Sequence, residues 1–238
     1  VAKEPEVNEE VMLSQYDENA VDKVVISIMH SYSQLSMSQI SLIVKEMTQE
    51  KKRNIIDEYT KQRTNRRHKP GRAFENAYYT FDLFGNYGIY RDLHRHRALT
   101  QQRQTLTAKL GYDTPKELKD INADGKYHEA MKKTKEAWEI ISRRFPQEAQ
   151  YVVPFGYRIR WYFTLNAREL YHLTELRTVQ QGHPDYRRIC QKMATLARNV
   201  HPELFKNMKF VDMNSYELER SEAEKRIDKK MEEVEEKY

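Results

Sequence analysis

The stretch Tyr157–Leu165, YRIRWYFTL, decides the fold, and Asn166-Ala167-Arg168-Glu169 follows it directly. Successive side chains of a strand point to opposite faces. Aromatic and aliphatic residues occupy one face here, and two arginines and a threonine lie on the other. The alternation predicts a half-buried strand. Asn166 is suited to the N-cap of a helix and Glu169 to its third position, so a helix is expected to begin where this strand ends.

A second strand that is followed by a helix is predicted earlier in the chain. Ala77–Phe84, AYYTFDLF, is aromatic and alternating, and Asn86 is suited to open a helix that ends near His94-Arg95-His96-Arg97. The segment Val21–Met29 fits a short buried helix or strand, and its periodicity does not decide between them. The fold class predicted is helix-rich α+β with a small, mostly antiparallel sheet. Further helices are predicted to start at Ser36 with a capping box to Gln39 and at Thr114-Pro115, and to cover about 49–63, 126–144 and 184–200.

The chain has 238 residues, enough for one large domain or two small ones. We predict a linker or arm over residues 1–20, a domain over 21–215 and a charged terminal helix over 216–238. The longest uncharged apolar run, Val24–Met29, is too short to span a bilayer. The single cysteine, Cys190, excludes an internal disulfide framework and indicates a cytoplasmic setting. Its helical spacing favours a place in the core over a catalytic thiol.

The charge balance restricts the function classes. The 41 Lys and Arg residues exceed the 36 Asp and Glu residues by only five, which permits an anionic ligand without requiring nucleic acid. The basic stretch 51–72 contains Tyr59 as its only aromatic residue, so base stacking is not provided for and nucleic-acid binding is not predicted. With seven glycines, the chain has neither a G-x-G-x-x-G nor a P-loop motif. A phosphorylated cofactor would have to be held by side-chain cations and helix N-termini.

The densest chemical feature is His94-Arg95-His96-Arg97. Its arginines offer forked donors that suit phosphate, and an imidazole between them can stack on a ring or donate to an anion. An ordinary basic helix end fits equally, because cations suit a helix C-terminus. A metal site on His94 and His96 is a further alternative, but the sequence indicates no third ligand, and we predict no metal.

A second feature is the helix that opens at Asn166. Arg168 and His172 are four residues apart and share one face, and Arg177 lies further along. An N-cap followed by an ordinary amphipathic helix explains the same residues. Glu75, just before the first aromatic strand, could receive a ribose hydroxyl or an ionised partner, or could pair with a nearby arginine.

Three motifs together resemble the flavin-dependent thymidylate synthases. The family's R-H-R, seven residues and a hydroxyl residue is matched by Arg95-His96-Arg97 and Thr105, with Thr in place of the usual Ser. Its N-A-R-x-L-x-x-x-x-x-L-R element is matched by residues 166–177. Its F-E-H and following strand are matched by Phe74-Glu75-Asn76 and Tyr79-Thr80-Phe81. The resemblance covers about residues 20–210 and is greatest to a branch with two synthase-like halves in tandem, of which this chain resembles the second.

This resemblance implies the fold of the thymidylate synthase-complementing proteins and a homotetramer with shared active sites. It implies conversion of dUMP to dTMP, with FAD as cofactor, methylenetetrahydrofolate as carbon donor and NADPH as reductant. Carried over residue by residue, Arg177 contacts the uracil and stabilises its ionised ring nitrogen, a catalytic role. The FAD residues implied are Arg72, Glu75, Arg95, His96, Arg97, Asn166, Arg168 and His172. The dUMP residues implied are Arg95, Arg103, Thr105 and Arg177.

Some positions depart from the family pattern. Arg103 stands where the family commonly has Glu, and Asp92 where it has a Gln that helps hold dUMP. Thr107 and Gln150 stand where it has arginines, the latter a phosphate-binding one. Each charge-assisted hydrogen bond is worth about 1.5–3 kcal/mol, so two losses weaken nucleotide binding by roughly two orders of magnitude. The cofactor half of the signature is kept, whereas the dUMP half is altered, with Arg103 as partial compensation.

Overall fold

The computed structural model of the chain describes residues 9–216. Its contacts divide into two compact units. Of the described residues, one unit, here called the sheet unit, holds Glu9–Tyr16 together with Tyr79–Leu165. The other, the helical unit, holds Asp17–Tyr78 and Asn166–Tyr216. The charged helix predicted for 216–238 lies, apart from its first residue, outside the described residues.

Strands and helices follow one another along the chain in a mixed order. The strands are β1 (Val11–Tyr16), β2 (Tyr78–Asn86), β3 (Leu99–Arg103) and β4 (Arg158–Asn166). The helices are α1 (Ala20–Ser31), α2 (Met37–Lys45), α3 (Gln49–Thr60), α4 (Tyr87–Leu93), α5 (Glu117–Asp120), α6 (Asp124–Ser142), α7 (Ala167–Arg177), α8 (Pro184–Val200) and α9 (Pro202–Phe205). Short 3-10 helices cover Arg72–Asn76 and Glu148–Val152. Across residues 9–216, none of the helices is both long and apolar enough to pass through a membrane.

A four-stranded sheet in the order β1-β2-β4-β3 forms the centre of the sheet unit. The pairs β1–β2 and β3–β4 are antiparallel. The alternation read in β4 is confirmed, since Trp161, Phe163 and Leu165 are at most 2% exposed. On the opposite face, Arg160 of β4 binds Asp82 of β2 at 3.0 Å. The predicted fold class, helix-rich α+β with a small antiparallel sheet, is therefore confirmed.

Two strands were not foreseen from the sequence. Part of the segment 1–20, expected as an arm, is the edge strand β1, and its pairing with β2 shifts register between Leu13 and Gln15. The other edge strand, β3, has the polar sequence LTQQR. Edge strands are short and polar because one side of their backbone is unpaired, so they lack the apolar alternation that identifies a central strand.

The helical unit depends on caps and on an apolar interior. Ser36 and Gln39 form the predicted capping box at α2. The ambiguous segment Val21–Met29 lies within α1, which packs on α2 and α3. Helix α7 packs on α8 and on the 3-10 helix Arg72–Asn76. Within that 3-10 helix, buried Phe74 meets Tyr171 of α7 edge to face, with ring centroids 5.8 Å apart. This contact places the F-E-N motif beside the N-A-R helix.

Candidate functional site

Helix α7 begins as its sequence predicts and carries Arg168 in a fixed position. The Asn166 side chain accepts a hydrogen bond from the Glu169 amide at 2.9 Å and so caps the helix. In the first turn, Arg168 Nε donates to the Pro70 carbonyl at 2.9 Å. Its Nη1 donates to Glu75 Oε1 at 3.3 Å. Arg168 therefore links the helix to the segment that precedes β2.

Glu75 joins the two predicted cofactor arginines of the helical unit. Its Oε2 accepts from Nε and Nη2 of Arg72 at 3.3 and 3.2 Å, while Oε1 accepts from Arg168. Glu75 is thus paired with nearby arginines, which is one of the alternatives considered for it from the sequence. Two guanidinium groups face one carboxylate, so the cluster keeps one unit of positive charge. Arg72 is 86% exposed at its side chain and Arg168 is 39% exposed, which leaves both accessible to an anion.

Further along α7, the predicted His172 is partly buried, and Arg177 lies at the C-terminal end of the helix. The Arg177 guanidinium lies 5.8 Å from the ring centroid of Tyr186 on α8. Cys190 on the same helix is fully buried, and burial raises the pKa of its thiol to about 12. A thiol in this state is protonated at neutral pH, so the prediction of a core cysteine is confirmed.

The R-H-R motif belongs to the sheet unit, where it follows α4. Arg95 and Arg97 are exposed, whereas His96 is buried. Arg95 pairs with Asp92 at 3.7 Å. His94, which precedes the motif, stacks on Tyr90 with centroids 5.4 Å apart and contacts the Arg91 carbonyl through Nδ1 at 2.7 Å. His94 is thereby held by its own helix.

Two of the positions that depart from the family pattern meet in the sheet unit. Arg103 Nη1 donates to Gln150 Oε1 at 3.2 Å, and the same oxygen accepts from the Leu106 amide at 3.1 Å. Both side chains line a cavity of about 570 Å³, which Tyr87, Tyr151 and Phe155 also line. The predicted Thr105 is exposed. This cavity combines aromatic walls with the guanidinium of Arg103 and the carboxylate of Glu148. The aromatic walls suit a planar ring, and Arg103 is the lining group that can bind an anion.

Within each unit, then, the structure brings some predicted residues together. Arg72, Glu75 and Arg168 form one cluster, and Arg103 meets Gln150. Sequence reasoning missed the buried pair formed by Arg63 and Glu175, which lies in the helical unit beside the first cluster. The sequence spacing could have indicated that Glu175 is buried. Glu175 is four residues after buried Tyr171 and so shares the buried face of α7.

The fold and these clusters define a helix-rich α+β protein with arginine side chains grouped in each of its two units. Residues 12–203 match the family model described as thymidylate synthase complementing protein. The chain belongs to this family, which confirms the resemblance drawn from its motifs.

The relatives agree with this assignment. A "UPF0159 protein" of Chlamydia muridarum is 40% identical over 224 residues, which cover 94% of this chain and 42% of the relative. A flavin-dependent thymidylate synthase of Sulfurisphaera tokodaii is 31% identical over 142 residues, covering 56% of this chain and 55% of that protein. The crystal structure of the UMP/dUMP methylase PolB from Streptomyces cacaoi, bound with 5-Br dUMP, superposes with a TM-score of 0.65 at 17% identity. That similarity covers 83% of this chain and 93% of PolB.

The chain spans less than half the length of the first curated relatives that it matches, between 41% and 44%.

Proposed function

We propose that this chain is part of a flavin-dependent thymidylate synthase, which converts dUMP to dTMP with FAD, methylenetetrahydrofolate and NADPH. The observation that carries the proposal is the position of Arg168. The N-A-R arginine is bound to Glu75 of the F-E-N motif and to the Pro70 carbonyl, so two of the three family motifs form one cluster. Family membership supports the same reaction.

The residues of the helical unit fit a flavin dinucleotide. The pyrophosphate of FAD carries two negative charges, and the Arg72–Glu75–Arg168 cluster keeps a net positive charge with exposed guanidinium groups. Arg168 and Arg72 would hold the pyrophosphate, with Glu75 setting their orientation. Asn166 has its side-chain oxygen engaged in capping α7, so its contact with FAD would be made through the amide nitrogen. His172 and the residues Arg95, His96 and Arg97 complete the proposed set. When bound, FAD would accept electrons from NADPH and, as the reduced flavin, carry them to the reaction.

The sheet unit offers the nucleotide residues. Arg103 in the aromatic cavity would bind the phosphate of dUMP, since its guanidinium is the cation among the lining residues. Arg95 and Thr105 would add contacts from the R-H-R segment. Arg177 would stabilise the negative charge that develops on the uracil ring, the role that the resemblance gives it. The bound analogue in PolB supports a dUMP-type ligand for this fold.

The remaining features of the proposal rest on the resemblance alone. These are a homotetramer with shared sites, folate and NADPH as co-substrates, and a cytoplasmic location. Gel filtration with light scattering tests the first of them directly.

Tritium release from dUMP labelled at C5 tests the reaction. Replacement of the C5 hydrogen by a methyl group releases the label to water, so we expect release that depends on FAD, NADPH and methylenetetrahydrofolate together. Arg177→Lys keeps the charge but loses the forked donors, and we expect it to lower the rate of release. Absence of release by the chain with all three components present contradicts the proposal.

The dUMP cavity favours a second candidate function, a synthase-like half that binds FAD but does not methylate dUMP. Gln150 occupies the position of a phosphate-binding arginine, and it accepts hydrogen bonds from Arg103 and from the Leu106 amide. A cation held by a neutral amide is less available to a phosphate than one that faces solvent alone.

Restoring arginine at both altered positions separates the two candidates. If the cavity is a weakened dUMP site, Thr107→Arg with Gln150→Arg should tighten dUMP binding by about two orders of magnitude. A double variant that folds and still shows no dUMP binding in calorimetry favours the non-catalytic half. Ile121→Arg with Ile140→Arg, at two positions of the same unit that are each 70% exposed, is the matched control for two added charges.

A further inference from the structure

The buried ion pair between Arg63 and Glu175 has no role in the proposed site so far. Arg63 follows α3, and Glu175 lies on α7. Arg63 Nη2 and Glu175 Oε2 are 2.6 Å apart, and the two side chains are 4% and 0% exposed. Both belong to the helical unit.

Every nitrogen of the Arg63 guanidinium is engaged. Nε donates to the His68 carbonyl at 2.6 Å, Nη1 to the Asn207 carbonyl, and Nη2 to Glu175. The group also lies 4.7 Å from the ring centroid of Tyr171. A lysine cannot reproduce this pattern, because its ammonium is a point charge without a planar fork.

Stability alone does not account for such a pair. Removing two charges from water is costly, and apolar residues of similar size in the same place are often no less stable. Burial raises the pKa of Glu175, while the hydrogen bond from Arg63 acts in the opposite direction and favours the carboxylate. What the pair adds is a defined position for the two segments that it joins.

Those segments lead directly to the proposed cofactor residues. The loop 61–71 is held at two carbonyls, that of His68 by Arg63 and that of Pro70 by Arg168. Arg168 and Glu175 are seven residues apart on α7, about two turns, and so share one face. The loop therefore lies along α7, between the buried pair and the Arg168–Glu75 cluster.

Lys69 gives independent support for this arrangement. Its Nζ donates to the Arg66 carbonyl at 3.0 Å within the loop. Burial lowers the pKa of Lys69, and the negative charge of Glu175 raises it. Lys69, near the end of the loop, is thus close enough to α7 for its ammonium to interact with the buried carboxylate.

We propose that Arg63 and Glu175 are positioning residues for FAD: their pair fixes loop 61–71 on α7, and the fixed loop orients Arg168 toward the cofactor. This inference rests on the proposed function, because it assumes that Arg168 binds FAD.

The test replaces the pair by apolar residues in the full chain, as Arg63→Met with Glu175→Leu. Three quantities are measured: the Kd for FAD from a visible absorption titration, the spectrum of the bound flavin, and Tm without FAD. We expect Tm to stay near that of the parent chain, FAD affinity to fall about tenfold, and the flavin spectrum to shift. The matched control is Glu129→Leu with Lys133→Met, which removes an exposed ion pair on α6 and should leave all three unchanged.

A double-mutant cycle that combines the apolar pair with Arg168→Met shows whether the pair affects FAD binding through Arg168. If the pair acts through Arg168, the apolar pair should cost little further affinity once Arg168 is replaced. Full additivity, or parent-like affinity and spectrum in the folded double variant, overturns the inference while leaving the proposed function intact. Absence of FAD binding by the parent chain contradicts both. If the double variant does not fold, Arg63→Lys takes its place: we expect the same loss of FAD affinity, and parent-like affinity overturns the inference.

Discussion

Arg168 and Arg63 of the helical unit are held differently from Arg95, Arg97 and Arg103 of the sheet unit. In the helical unit, Arg168 is bound to a carboxylate and a backbone carbonyl, and Arg63 close by is completely buried with every donor engaged. In the sheet unit, Arg95 and Arg97 are exposed, and Arg103 is bound to the neutral amide of Gln150.

This difference indicates which part of the proposed site is preorganised. Donors fixed before the ligand arrives lose little freedom on binding, so each contributes more to affinity than an exposed, mobile side chain. Arg168 and Arg63 of the helical unit have the features of such a preformed site, whereas Arg95 and Arg97 of the sheet unit are exposed to solvent. Cofactor binding should therefore depend on the helical unit most, and nucleotide binding on the sheet unit.

The largest effect is expected at Arg168. Arg168→Met removes the cation that joins α7 to Glu75 and leaves the stem of the side chain in place. The loss of charge-assisted hydrogen bonds should weaken FAD binding by about 10- to 100-fold. Absorption titration measures the change. Arg53→Met, which replaces an exposed arginine on α3, is the control. Equal losses of FAD affinity in the two variants would show that the contacts of Arg168 are not the cause.

A smaller and separate effect is expected at Arg103. Arg103→Met should weaken dUMP binding about tenfold, because it removes the cation of the aromatic cavity. FAD affinity should change less than about twofold, since the residue belongs to the other set of contacts. Calorimetric titrations with dUMP and with FAD measure the two changes in affinity. A parallel loss of FAD and dUMP affinity would mean that the two ligands do not depend on separate units.

Acid should weaken the helical unit through His201. Burial lowers the pKa of this histidine below 6.5, so the folded state binds fewer protons than the unfolded state. Its contribution to stability is complete above pH 6.5 and is lost as the pH falls through the lower folded pKa. We expect the urea midpoint to drop between pH 7 and pH 5, and to drop less in His201→Gln, which cannot titrate. Identical pH profiles for the two proteins would exclude this cause.

The smallest effect is expected at Cys190. The thiol is buried with a pKa of about 12, and neither unit uses it for binding. Cys190→Ala should lower the free energy of unfolding by about 1 kcal/mol, a typical value for a core substitution, and leave FAD affinity unchanged. The native thiol should resist a disulfide reagent at pH 8 until the chain is unfolded. Rapid labelling of the native protein would show that the core around α8 opens readily.

The strongly patterned elements were the predictable ones. The alternation in β4, the caps at Ser36, Asn86 and Asn166, and the buried Cys190 all follow from local sequence rules, and the structure has them. The edge strands β1 and β3 were missed, because neither VMLSQY nor LTQQR alternates between apolar and polar residues and their pairing is decided by distant residues.

The candidate site was likewise predictable from the sequence only in part. Motif spacing identified Arg168 and Glu75, and the structure joins them. It did not identify Gln150 as the partner of Arg103, since these residues are 47 positions apart. Arg63 was counted only as one residue of the basic stretch 51–72, and the fold shows that it is buried against Glu175.

The central claim is that this chain binds FAD through preformed contacts of the helical unit. The most direct test is the visible absorption spectrum of the purified full chain, before and after incubation with FAD and passage through gel filtration. We expect a flavin band that elutes with the protein and is lost in Arg168→Met. No band with excess FAD, or a band that persists unchanged in Arg168→Met, would contradict it.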